Sequence, residues 1–270
     1  MSNPGAADDT PVTSIAQMSA YIASGCKPRA QWRIGTEHEK FPFRLADLAP
    51  PDYQHGIRVL LEGLQPKGWA PITDRGNVIG LTRGAASVSL EPAGQFELSG
   101  APVETLHETD AELANHFEEL KPVAERAGLD FAMLGFHPTA RREDMHWMPK
   151  GRYAIMRRYM PTVGGQGLDM MLRTCTVQVN LDFESESDMV EKLRLSLALQ
   201  PIATALFANS PFKEGRDTGF ASWRSQVWTD TDPDRTGIPR VVFQDGFGFE
   251  RFVEYLVDEV TLLMPDTLAA

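Results

Sequence analysis

Hydrophobic and polar positions alternate most clearly in "WRIGTEHEKFPF", residues 32–43. Side chains alternate across a strand, so Trp32, Ile34, Thr36 and His38 share one face. Glu37 and Glu39 share the other face with Gly35 and Phe41, their Cα atoms about 7 Å apart. Short alternating runs return at "NVIGLT", "ASVSLE" and "QFELS". The separators "RGA" and "PAG" are turn chemistry, and such short connections predict antiparallel pairing. A helical period governs other stretches. Ile15, Met18 and Ile22 mark a short helix, and Ile57, Leu60, Leu61 and Leu64 mark a second. Residues 101–128 predict the longest helix, with Pro102 in its first turn and Leu106, Leu113, Phe117 and Leu120 buried. Pro122 should bend or shorten it.

Farther on, a strand is expected at "FAMLGF", a helix at "GRYAIMRRYM" and a strand across "MMLRTCTVQVNLDF". A helix from about Ser187 to Asn209 should kink or break at Pro201. A polar loop holding "SWRSQVWTDTD" then leads to a last helix from Phe249 to Asp258. Early strands with long helices later give an α+β fold, an antiparallel sheet backed by helices.

Composition narrows the function classes. With 42% hydrophobic and 23% charged residues the chain has the balance of a soluble globular protein. A net charge of −11 argues against nucleic acid or an anionic membrane as partner. The first ten residues hold no basic and apolar signal pattern, and two cysteines, Cys26 and Cys175, build no disulfide framework. The expected placement is therefore the cytoplasm.

The acidic residues are the first candidate chemistry. Two carboxylates on one strand face repel unless something positive lies between them, although solvation alone is the commoner use of a wet face. Glu91 and Glu97 flank the "PAG" turn and can project towards Glu37 and Glu39 if their strands form a hairpin. Four carboxylates on adjoining strands suit a hard cation such as Mg²⁺ or Mn²⁺. Arg152, Arg157, Arg158, Arg173 and Arg224 could hold a substrate carboxylate or phosphate; singly, each is more often a surface ion pair. Thr176, Gln178 and Asn180 form a polar row on one strand face, as apt for hydrogen-bonding a ligand as for solvent. Cys175 reads as a packed thiol and His38 as a hydrogen-bonded core histidine. The chain has no phosphate-binding glycine loop, no nucleophile elbow and no H-E-x-x-H.

"IGTEHEKF", "SLEPAGQFELSG", "MPKGRYAIMRRYMP", "GLDMMLRTCTVQVNLDF" and "SWRSQVWTDTDPDRTG" together resemble the plant-type glutamate–cysteine ligases. The resemblance runs from about Trp32 to Asp258. It implies a glutamine-synthetase-like fold, an antiparallel sheet forming a funnel whose acidic strands bind Mg²⁺ (or Mn²⁺) and ATP. The implied reaction joins the γ-carboxylate of glutamate to the amine of cysteine through a γ-glutamyl phosphate, the first step of glutathione synthesis. By the same resemblance Glu37, Glu39, Glu91 and Glu97 match metal positions. Arg152 and Arg224 match arginines on the glutamate and the transferred phosphate, and Gln178 and Asn180 belong to that pocket. The implied organisation is a flexible polar leader over 1–12, a catalytic domain over 13–258 and a divergent tail over 259–270. The chain departs from the family pattern at Pro42 and Ala93, where glycine is usual, and at Leu262, where tyrosine is expected. The tail reads as the point where a longer family chain is cut short. Besides the ligase, the residues leave open an inactive fragment that binds nucleotide or a partner, and a ligase for another amine. A hydrolase with paired carboxylates is the remaining alternative.

Overall fold

The computed structural model describes residues 11–261 of the 270, and the side chains only as far as 258. The leader expected over 1–12 and the tail over 259–270, Leu262 included, thus lie almost wholly outside the described residues.

In chain order the elements are α1 (Ile15–Ala23), β1 (Ile34–Arg44), α2 (Arg58–Leu64), β2 (Ala70–Asp74), β3 (Asn77–Arg83), β4 (Ala86–Leu90) and β5 (Phe96–Ser99). There follow α3 (Leu106–Arg126), β6 (Leu129–Ala132), α4 (Gly151–Tyr159), α5 (Gly167–Arg173), β7 (Val177–Leu181) and α6 (Glu186–Leu206). A small hairpin of β8 (Phe212–Lys213) and β9 (Arg216–Asp217), then α7 (Trp223–Trp228) and α8 (Phe249–Thr261), complete the chain.

Seven strands form one antiparallel sheet in the order β2-β3-β4-β5-β1-β6, with β7 also on β1. β1 is long enough to serve two neighbours along one edge. Ile34 to His38 pair with β7 and Phe41 to Arg44 with β6, while β5 takes the other edge from Glu37 to Lys40. The hairpin joining β4 and β5 turns at Gly94, whose φ of +85° suits glycine. A Cβ there would also stand 3.0 Å from Ile57, so the turn fixes both backbone and packing.

One face of the sheet carries the core. Leu81, Val88, Leu90, Phe96 and Leu98 pack with Ile57, Leu60, Leu61 and Leu64 of the α2 region and with Leu120, Val123 and Ala124 of α3. The predicted second helix buries the expected stripe. The α3 helix does not. It begins later, capped by Thr105 in a capping box with Glu108, which leaves Pro102 outside and Leu106 70% exposed. Pro122 lies inside α3 without ending it.

Three further differences concern single elements. The strand expected across 170–183 is helical up to Arg173, where Leu168, Met171 and Leu172 meet the core at helical spacing. The polar loop contains α7, a short helix whose cap Ser222 accepts from the Ser225 amide. Helix α6 passes through Pro201 unbroken. Helix α8 buries Phe249, which packs against Phe183, and Val253.

Candidate active site

Opposite residues of an antiparallel pair project to the same face. Glu39 is registered directly against Glu97, Glu37 against Ser99, and Glu97 against Ser89 of β4. Glu91 continues the alternation of Ser87 and Ser89, its amide donating to the Gln95 carbonyl at 2.9 Å. All four predicted glutamates therefore lie on one sheet face, the face away from the core.

The two central carboxylates are poorly solvated. Glu97 is buried and accepts from the Ser99 hydroxyl. Burial first, then Glu91 and Glu37, raises Glu97 above the usual carboxylate range, with Ser99 opposing. Burial, then the charges of Glu91 and Glu97, pushes Glu39 up to about 8. The Thr176 amide, donating to Glu39 at 2.8 Å, and the Arg224 guanidinium hold it down. Like charges directly opposite in a sheet cost stability, so this pair is a place where a cation is favoured. Among the described residues no three acidic, histidine or cysteine side chains close into a cage around one ion. An all-carboxylate ledge of this kind still fits Mg²⁺, which binds through one or two carboxylates and fills its shell with water and phosphate oxygens.

Polar side chains surround the ledge. Gln178 and Asn180 donate to Glu37 at 3.1 and 3.0 Å, so the predicted polar row reaches the acidic face. Arg224 approaches Glu39 from helix α7; its Nε is buried with no hydrogen-bond partner, and its guanidinium lies over Trp228 at 5.7 Å. Burial lowers its pKa, with Glu39 and Cys175 opposing. Arg152 is more remote, an exposed side chain in the first turn of α4 stacked 5.2 Å from the Tyr153 ring. Two of the other candidate arginines are engaged elsewhere, and Arg158 is exposed. Arg173 is buried in ion pairs with Asp169 and Glu214, and Arg157 stacks on Trp147.

Three buried residues bordering the ledge escaped the sequence reading. Lys150 donates to the Leu90 carbonyl at 2.7 Å, and Tyr153 to the same oxygen at 2.6 Å, just beside Glu91. Burial draws Lys150 down to about 8, opposed chiefly by Glu91. Gln95 donates to the Met171 and Thr174 carbonyls at 3.0 and 2.9 Å and accepts from Ala93, tying the turn to α5. Lys150 stands in "MPKGRY", beside the arginine that drew attention. Cys175 is buried, as expected of a packed thiol. His38 is only half-buried, and its buried Nε2 has no hydrogen-bond partner, contrary to the expected bonded histidine.

Fold and site together define an α+β protein with a carboxylate ledge on an antiparallel sheet, met by basic and amide side chains. The chain belongs to glutamate-cysteine ligase family 2 (GCS2), whose pattern matches residues 33–264. It is 59% identical over 239 residues to the chloroplastic glutamate–cysteine ligase of Brassica juncea, covering 88% of this chain and 46% of that protein. The chloroplastic enzyme of Arabidopsis thaliana is 60% identical over 240 residues, again 88% and 46%. Glutamate–cysteine ligase B, chloroplastic, of Oryza sativa subsp. japonica is 58% identical over 242 residues, 89% and 49%. The chain spans about half the length of the curated relatives it matches. Their names place those relatives in the chloroplast, which overturns the cytoplasmic placement expected from the sequence.

Proposed function

We propose that this chain carries the acidic-strand half of a glutamate–cysteine ligase. The observation that carries the reading is the registered pair Glu39–Glu97, two carboxylates face to face on a largely buried sheet surface. Family membership supports it. In the proposed reaction a γ-carboxylate oxygen of glutamate attacks the γ-phosphorus of ATP, releasing ADP. The cysteine amine then attacks the acyl carbon, loses a proton, and phosphate leaves. A carboxylate is a poor electrophile, so the first step supplies the leaving group that the second needs.

Glu39 and Glu97, flanked by Glu37 and Glu91, would hold Mg²⁺, which when bound neutralises phosphate charge. Arg224 supplies an unpaired donor for the substrate carboxylate or the transferred phosphoryl group, and Arg152 is a second, outer one. Gln178 and Asn180 hold Glu37 in place and present amides to the same pocket.

Calorimetry tests this on the 270-residue chain, with Mg²⁺ and a non-hydrolysable ATP analogue present. Arg224→Ala should weaken glutamate binding by on the order of 2 to 4 kcal/mol, the cost of unpairing a buried charge-assisted contact. Phosphate release from ATP, glutamate and cysteine by the 270 residues alone should be low, given that they span about half of the relatives' length. Unchanged glutamate affinity in the variant would reject the role of Arg224.

A further inference from the structure

Helix α6 is uncharged in its second half, with Ser196, Gln200 and Thr204 as one narrow polar stripe. Residues 195–212 contain no charged side chain. Leu195, Leu199, Ile202 and Leu206 follow the spacing of one helical stripe, yet all are 46 to 73% exposed, and Phe207 beyond them is 76% exposed. An exposed apolar stripe this wide on a soluble helix calls for a covering partner. The only buried residue of α6, Met189, lies in its first turns. The helix is held by that polar first half, where Arg194 donates to the Val242 and Gln244 carbonyls.

Strand β7, just before α6, is exposed along its whole length. Val177, Val179 and Leu181, the apolar half of its alternation, are 56 to 64% exposed. Among the described residues β7 pairs with β1 alone, so its other edge presents unpaired backbone groups. No helix among the described residues is long and apolar enough to cross a membrane.

We propose that this open flank, the free edge of β7 and the apolar half of α6, is the docking surface for a second stretch of polypeptide. The occupant is the part of the relatives' length that lies outside the matched region. More than half of the Brassica juncea protein lies outside it, enough chain for a strand on β7 and an apolar cover for α6. A strand added to β7 would stand next to Gln178 and Asn180, and so one strand from Glu37. The occupant would thereby add side chains to the acidic face as well as cover the helix. A second copy fits less well, because a net charge of −11 on each chain opposes its own approach.

The test joins this chain to the unmatched portion of the Brassica juncea protein through a protease-cleavable linker. After cleavage the two pieces should stay together as a one-to-one complex in sedimentation. Hydrogen exchange of amides 177–181 and 195–206 should slow at least tenfold relative to this chain alone. Leu199→Glu with Ile202→Glu should weaken that association at least tenfold while leaving the melting of the isolated chain unchanged, since both positions are exposed. Aggregation of the linked protein, separation on cleavage, or protection elsewhere would overturn the proposal. So would an isolated chain that sediments as a dimer with the same amides protected. None of these readouts uses turnover, so they stand or fall apart from the ligase reading.

Discussion

The two edges of β1 face different worlds. On one side β5, β4 and β3 turn their apolar residues onto α2 and α3, and Leu81, Val88, Leu90 and Phe96 are at most 1% exposed. On the other, β7 has the same period-two alternation, and its valines and leucine face solvent. Identical patterning thus leads to a closed flank and an open one, and the carboxylate ledge lies on the seam between them. Alternation tells which residues share a face; only the packing partner decides whether that face becomes a core.

The strongest way to break this comparison is to cut apolar volume on each flank. Leu61→Ala, on the closed side, should cost about 2 to 5 kcal/mol, through lost burial and the cavity left behind. Leu199→Ala, on the open side, should change stability by less than about 0.5 kcal/mol. Urea denaturation of both variants checks the contrast, and equal losses would refute it.

A subtler probe is the charge hidden in the closed flank. Lys40 points into the core beside the rings of Phe96 and Phe117, 5.8 and 5.5 Å from its Nζ. Burial draws its pKa down from 10.5 to about 7, with Cys175, Glu97 and Glu39 opposing. The charged form is therefore disfavoured by folding. That cost is complete below about pH 7 and fades as the pH rises towards 10.5. Lys40→Met should stabilise the protein at pH 6 by on the order of 2 kcal/mol, and the gain should shrink at pH 9. Val179→Lys, the opposite exchange on the open flank, should be near neutral at both values. Urea midpoints at the two pH values measure both variants; a gain independent of pH would show that Lys40 packs without a charge penalty.

Much of this architecture was legible in the chain. The period-two runs and their glycine turns gave the sheet, and the four glutamates fell on one face because β4 and β5 pair in the expected hairpin and β5 registers against β1. The strand β2 was not singled out, since "APITD" alternates weakly and is largely exposed. Helix α5 read as a strand because "MML" is an apolar run too short to tell the two elements apart, and it leads straight into the alternation of β7. Lys150, Cys175 and the unpaired Nε of Arg224 became neighbours of the ledge only through packing between segments far apart in sequence. No local pattern encodes that. Arg173, by contrast, read as a substrate-binding candidate or a surface ion pair, and the fold buries it in ion pairs.

The most direct test of the central claim, that the Glu39–Glu97 pair is built for a cation, is the thermal stability of Glu39→Gln with and without Mg²⁺ at pH 8. Glu39 is raised to about 8, so the stability it confers when protonated is present below about pH 4.5 and is lost as the pH rises through 8. Removing its charge should therefore stabilise the metal-free protein at pH 8, by on the order of 1 to 2 kcal/mol, and make no such difference at pH 4. Mg²⁺ should raise the melting temperature of the unaltered chain and leave the variant unmoved. A variant that is less stable at pH 8, or one that responds to Mg²⁺ as fully as the unaltered chain, would contradict the account.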